Sequence, residues 1–474
     1  MLSLPPAARY TWNTTPYLCP TGTRISPMLL TLIRRTAFAR LFRIAAIVLA
    51  GASLGACAML RTTPSAPPPQ AGVPPESLAR DHFALHGSES VVGQMAIMEV
   101  KAGDTLPDIA RNFSLGYDEI TDANPKLDPW VPKPRQWVIL PLEFILPDAP
   151  REGIVIDVAT MRLFRYVNGA GGPEVITYPI GIGRAGAATP VGQARIIKKV
   201  ADPWWYPTPH IRRDHARQGD PLPTAVPPGP DNPLGSYALY LSLPNYRIHG
   251  TDKPYGVGMR VSYGCVHLYP EDISALFRDT GVGTPVRIVN QPYLIGERNG
   301  VIYLEAHKPL NERNRVRTKK ELYARLQRVE KLTGLKIDWE KVAAMLALEN
   351  GIPGPIAGNV DGDPLARVVV VRHPPQFRYA PDVPRLRANA WYVRVADMTD
   401  GIEAERLAAM LNHLGPQIPA RVIPVKDRYR VVAGPFGEVT EARTAMVSMK
   451  TDLDLGGATI IRGEDKVFAP RQQG

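Results

Sequence analysis

The sequence predicts a multidomain protein with a mainly β domain in its middle, a small α+β unit before it and a second α+β unit after it. Three observations carry this. The chain has 474 residues, more than a single hydrophobic core accommodates. Residues 151–290 hold several runs of strand-forming residues separated by Pro-rich loops, the pattern of a mainly β domain. Residues 387–463 read strand, helix, strand, strand, helix, strand.

Residues 1–57 read as an export segment. A basic stretch with Arg34, Arg35, Arg40 and Arg43 precedes an apolar run, Ile44 to Leu54, and Leu54-Gly55-Ala56-Cys57 follows. A basic region ahead of a short apolar one is the layout of a signal peptide. The run falls short of the roughly 20 residues that a membrane span needs. The first 27 residues look unlike an export signal, which points to Met28 as the start. The Leu-Gly-Ala-Cys ending resembles the bacterial lipobox, which implies cleavage before Cys57 and lipid attachment on it. Ala58 in place of Asp implies transfer to the outer membrane of a Gram-negative cell. The three cysteines are Cys19, Cys57 and Cys265, so the processed chain would keep Cys265 as its free thiol. Residues 58–96, with Pro67-Pro68-Pro69, read as a stiff Pro-rich tether.

Residues 97–141 form a compact unit. Met98 to Lys101 reads as a strand, Ala102-Gly103-Asp104 as a turn with Asp104 as N-cap, and Leu106, Ile109, Ala110 and Phe113 recur at helical spacing. A short helix fits Asp118 to Ala123, Asn124-Pro125 stops it, and Trp137 to Pro141 closes the unit as a strand. Gly103-Asp104-Thr105-Leu106, Ile109-Ala110 and Asn124-Pro125 resemble a lysin-motif (LysM) domain. That implies binding of N-acetylglucosamine-containing glycans by the turn after Val100 and the segment leading to Asn124.

In the central domain, strands are expected at Ile154–Asp157, Arg162–Tyr166, Glu174–Ile180, Ala194–Val200 and Tyr237–Leu243. Gly181 to Gly186 matches a dinucleotide-binding fingerprint by letter. No helix readily follows into Thr189-Pro190, so it reads as a flexible loop near the cleft. Tyr246 to Ile248 ends a strand and delivers His249-Gly250. Sixteen residues after His249 comes Cys265, inside Ser262-Tyr263-Gly264-Cys265-Val266-His267 and ahead of a helix at Pro270–Asp279. Thiol chemistry needs a base within reach and a tight turn that exposes sulfur, and Gly264 permits the bend. Backbone N–H groups around Cys265 could serve a developing oxyanion. A zinc site from Cys265, His267 and His249 lacks the paired ligand spacing of structural zinc, and no metal or other cofactor is expected.

This pattern resembles the L,D-transpeptidase catalytic domain, whose signature is His-Gly followed by Ser-His-Gly-Cys-(Ile/Val)-Arg. Thr189-Pro190-Val191-Gly192, Trp204 to Pro209, Asn232-Pro233-Leu234-Gly235 and Gly283-Thr284-Pro285-Val286 fall in the family's order. The resemblance implies that Cys265 is the nucleophile, His249 the base, and the Gly250 carbonyl the group that orients the imidazole. Gly264 would belong to the catalytic turn, and Ser262, Tyr263 and His267 would contact substrate. Two positions depart from the signature: Tyr263 stands for histidine and His267 for arginine, which removes a permanent charge and its bidentate fork.

Residues 291–386 read as an extension and linker, with a strand at Val301–Ala306 and helices at Lys319–Leu332 and Asp338–Leu348. Asn359, Asp361 and Asp363 alternate as in a calcium loop, but Pro364 and Val370 hold the glycine and closing-acid positions, which excludes calcium. The order of elements in 387–463 signals a ferredoxin-like α+β fold. Trp391-Tyr392-Val393-Arg394-Val395 and Tyr429 to Phe436 resemble the sporulation-related (SPOR) domain, which implies binding to glycan strands that lack stem peptides. Val393 and Arg394 lie where that family usually carries Gln.

The net charge is +11. No nucleic-acid motif accompanies it, and an anionic wall polymer fits a basic exported protein. Together these readings describe a periplasmic, lipid-anchored enzyme. It would act on peptidoglycan stem peptides through a thioester, forming 3–3 cross-links or tethering other cell-wall proteins. The alternatives are an L,D-carboxypeptidase, or a catalytically weak or inactive wall-binding scaffold.

Overall fold

The computed structural model describes residues 72–217, 221–358, 368–453, 455 and 457–463. The export segment with Cys57, the lipid expected on it, and the Asn359/Asp361/Asp363 run lie outside the described residues.

The segment read as a tether is folded from Val73 onward, where a bridge to Val371 and a short turn at Pro75–Ser77 precede its strands. Strand β1 (His82–Ala84) pairs with a strand of the central sheet, and β2 (Val91–Gly93) leads into β3 (Ala96–Glu99). The LysM-like unit continues with helices α1 (Leu106–Asn112) and α2 (Tyr117–Ala123) and strand β4 (Trp137–Leu140), antiparallel to β3. Thr105, not Asp104, is the N-cap of α1: its Oγ1 accepts the Asp108 N–H at 3.1 Å. Asp104 instead accepts the Lys101 N–H at 2.7 Å, closing the preceding turn. Buried Asn124 ties helix to strand, donating to the Ile120 and Ile139 carbonyls and accepting the Ile139 N–H. Strand β5 (Glu143–Ile145) pairs back onto β2.

The central sheet begins with β6 (Ile154–Asp157), β7 (Arg162–Gly169) and β8 (Gly172–Pro179). Alternation fixes what each face covers. Val155, Phe164 and Val175 join the core of the LysM-like unit, whereas Ile154, Ile156, Leu163 and Ile176 point into the central core. One ion pair locks the two: buried Arg162 meets both carboxylate oxygens of Glu119 from α2, at 2.8 and 2.9 Å. The segment read as a flexible glycine loop forms a short strand, β9 (Ile182–Gly183). Then come β10 (Gly192–Ala201), helix α3 (Pro209–Arg217), β11 (Tyr237–Leu241), β12 (Arg247–His249), β13 (Arg260–Ser262), β14 (Val266–His267), helix α4 (Pro270–Asp279) and β15 (Pro285–Val289). The main sheet runs β1-β8-β7-β6-β15-β10-β11-β12-β14, and β9 pairs with β13 beside it. Ile273 and Leu276 of α4 complete the central core against Ile248 and Val266.

Residues 293–357 are a folded extension rather than a linker. Strands β16 (Tyr293–Arg298), β17 (Val301–Ala306) and β18 (Gly354–Ala357) form a sheet with helices α5 (Arg315–Thr333) and α6 (Trp339–Leu348). They share a core that includes Tyr293, Leu304, Leu326 and Val342. Strand β19 (Val369–Val371) then returns to add a parallel edge to β3.

The last unit comprises β20 (Trp391–Met398), α7 (Gly401–Asn412), β21 (Ala420–Val425), β22 (Arg428–Phe436), α8 (Val439–Leu453) and β23 (Thr459–Arg462). Its antiparallel sheet is ordered β21-β22-β20-β23, the ferredoxin-like arrangement.

Candidate active site

Parallel pairing of β12 with β14 assembles the site. Ile248 lies opposite Val266 and His249 opposite His267. Side chains alternate along a strand, so Ile248 and Val266 enter the core while Arg247, His249, Cys265 and His267 line a cleft of about 380 Å³ on the other face. Two strands on either side of a short connection thus deliver the thiol and the imidazole to one wall.

Cys265 sits in a heavily braced turn. Ser262 Oγ accepts the Gly264 N–H at 3.1 Å and donates to the Cys265 carbonyl at 2.6 Å. Gly264 adopts φ +106°, and a Cβ there would lie 2.8 Å from the Tyr246 ring, so only glycine fits. With its N–H held by Ser262, Gly264 shapes the turn and does not serve as an oxyanion donor. Thr189 adds a second brace: its hydroxyl accepts the Gly183 N–H at 3.0 Å and donates to the Gly264 carbonyl at 2.9 Å. The thiol is partly exposed, with Sγ 3.7 Å from the Asn245 carbonyl. Burial pushes the thiol pKa up, and the nearby Arg247 charge and backbone N–H oppose that rise.

His249 is buried, and its Nδ1 lies 2.6 Å from the Gly250 carbonyl. A carbonyl only accepts, so Nδ1 carries the proton and Nε2 keeps its lone pair. Burial first, then the neighbouring His267 and Arg247, push the imidazole pKa down to about 3. The resting site therefore holds a neutral base beside a neutral thiol.

His267 stacks 6.2 Å behind His249, with Nε2 3.1 Å from the Gly256 carbonyl. Burial lowers its pKa to about 4, against the opposing effect of the Gly256 carbonyl. The glycine run has a structural reason here: a Cβ on Gly181 would lie 2.0 Å from the His267 ring. Tyr263 turns toward the cleft rim. Its hydroxyl donates to Asp214 at 2.8 Å, and the Arg184 guanidinium, itself paired with Asp214, sits 4.3 Å above its ring. Asp252 also lines the cleft, and burial raises its pKa to about 6.

The fold thus brings Cys265, His249, Gly250, Gly264, Ser262, Tyr263 and His267 to one place. Sequence reasoning missed Thr189 and Arg247. Thr189 was visible only as part of an ordered motif, whereas Arg247, two residues before His249 on a strand, was available from alternation alone.

Known proteins match this arrangement. The L,D-transpeptidase catalytic domain model matches residues 151–288, the LysM domain model 98–141 and the SPOR domain model 388–462. The probable L,D-transpeptidase ErfK/SrfK of Salmonella typhimurium is 38% identical over 280 residues, 57% of this chain and 89% of that protein. The probable L,D-transpeptidase YcfS of Escherichia coli is 43% identical over 44% of this chain and 67% of its own length. YbiS of the same organism, also a probable L,D-transpeptidase, is 41% identical over 47% and 72%. The chain belongs to the L,D-transpeptidase family, its catalytic domain placed between a LysM domain and a SPOR domain.

Proposed function

We propose that this L,D-transpeptidase acts on peptidoglycan with Cys265 as nucleophile and His249 as general base. The observation that carries the reading is the commitment of His249 Nδ1 to Gly250, which leaves Nε2 as a proton acceptor in the cleft that Cys265 lines. The thiol sulfur attacks the carbonyl between diaminopimelate and the terminal D-Ala of a tetrapeptide stem while Nε2 takes its proton. With a base this weak and a thiol pKa raised by burial, proton transfer accompanies attack rather than preceding it. Collapse of the tetrahedral intermediate breaks the C–N bond, and the departing D-Ala amine takes the proton from Nε2. The amine of a second diaminopimelate then attacks the thioester and gives a 3–3 cross-link. A protein lysine in its place would tether that protein, and water would give carboxypeptidase activity.

Ser262 and Gly264 hold the nucleophile turn, Gly250 orients the base, and Tyr263 and His267 shape the cleft walls against substrate. The LysM and SPOR domains hold glycan strands beside this cleft. Lipid on Cys57 attaches the protein to the outer membrane from the periplasmic side. No helix among the described residues is long and apolar enough to cross a membrane. Purified protein incubated with disaccharide-tetrapeptides should release D-Ala and yield 3–3 dimers, and the Cys265→Ala variant should yield neither. Equal dimer formation by the variant would overturn the assignment. Binding to wall sacculi without turnover by the wild type would favour the scaffold reading.

A further inference from the structure

Arg247 is a charged group of the cleft that takes no part in the proton transfers at Cys265 and His249. It precedes His249 by two residues on β12, so both side chains share the cleft face, and the strand pairing sets Arg247 beside Cys265. Its guanidinium packs 5.0 Å from the Tyr240 ring centre, which holds the planar group in place. Its Nε is buried and has no hydrogen-bond partner. The residue as a whole is half-buried, so the outer nitrogens of this aromatic-held guanidinium are available to a ligand in the cleft. Arg184 and Asp214 are paired with each other, and His249 and His267 are neutral.

We propose that Arg247 binds the free carboxylate of the residue that leaves, and so makes the enzyme selective for stems ending in a free acid. The proposal rests on Cys265 as nucleophile. The scissile amide nitrogen of a tetrapeptide stem is bonded to the Cα that carries the terminal carboxylate. Attack by Cys265 on the adjacent carbonyl therefore brings that carboxylate close to the group beside the sulfur. A planar guanidinium meets a carboxylate through two parallel N–H···O bonds. The same geometry recurs in a carbapenem, where the carboxylate sits on the carbon next to the lactam nitrogen. Arg247 thus supplies at the leaving-group side the permanent charge that His267 lacks.

The test compares full-length wild type, Arg247→Gln and Arg247→Lys on two stem tetrapeptides, one ending in D-Ala and one in D-Ala amide. Alkylation of Cys265 by neutral iodoacetamide serves as a control for a folded, reactive thiol. The wild type should favour the free acid by about 10- to 100-fold in kcat/KM, the size of a charge-assisted hydrogen bond. Arg247→Gln should lose that preference, so that the ratio of the two kcat/KM values falls toward one, and Arg247→Lys should keep part of it. A wild type indifferent to amidation would overturn the proposal without need of any variant. So would an Arg247→Gln enzyme that slows on both peptides alike. A wild type that turns over neither peptide and is not alkylated would instead refute Cys265 as the nucleophile.

Discussion

The Thr189 hydroxyl joins two strands to the nucleophile turn, and its removal gives a sharp prediction. Thr189→Val keeps volume and branching but takes away one donor and one acceptor. The Gly183 N–H, now 3.0 Å from Oγ1, and the Gly264 carbonyl, 2.9 Å from it, both lose their partner in a buried setting. Each stranded group costs about 1–3 kcal/mol, so the domain should lose about 2–6 kcal/mol. The loss falls on the peptide that carries Cys265, so acylation should slow beyond what the drop in folded protein explains. Below the unfolding transition the second-order rate of carbapenem acylation should fall by about 10-fold or more, in line with a sub-ångström misplacement of a reacting atom. Thr189→Ser restores the hydroxyl and should recover most of both losses. Thermal unfolding followed with stopped-flow acylation reads the two effects separately. A valine variant as stable and as fast as wild type would refute the argument that this hydroxyl braces the turn.

Other outcomes follow from the same geometry. Glu119→Ala strips the partner from Arg162, only 1% of whose side chain is exposed. Leaving that charge buried should cost about 3–5 kcal/mol, and limited proteolysis should then cut between the LysM and catalytic domains. With His249 held near 3 and His267 near 4, carbapenem acylation between pH 8 and 5 should show no loss through 6.5, where a free imidazole would titrate. Burial raises the pKa of the cleft carboxyl Asp252 to about 6. As pH falls through that value it loses its negative charge, so reaction with an anionic carbapenem should rise, and Asp252→Asn should abolish the rise. A fall through pH 6.5 that survives in Asp252→Asn would mean that one of the histidines is charged at rest.

What the sequence revealed followed the range of the interactions involved. Helix α4 and strands β6 and β17 have the bounds that periodicity and turn residues suggest, because those signals are local. The pairing of a histidine with a cysteine was legible as a motif, yet the reason they meet, the parallel register of β12 with β14, is non-local. Burial was the main hidden variable. A histidine at 267 looks like an optional cation until the fold encloses it between His249 and Gly181. The core of the extension at 293–357 was hidden in the sequence because helix α5 is rich in charged residues. Only Leu322 and Leu326 of α5 are fully buried, a stripe too narrow to announce a core that β16, β17 and α6 complete. Thr105 displaced Asp104 as N-cap because either side chain can cap and only the backbone path decides between them.

The proposed chemistry turns on one thiol, and intact-protein mass spectrometry after mixing with a carbapenem tests it most directly. The wild type should gain the mass of one carbapenem per chain, and peptide mapping should place it on Cys265. The Cys265→Ala protein should gain none, and His249→Ala should acquire the adduct about 100-fold more slowly, the scale of a lost general base. An unmodified wild type, or an adduct that persists in Cys265→Ala, would contradict the assignment of Cys265 as the nucleophile.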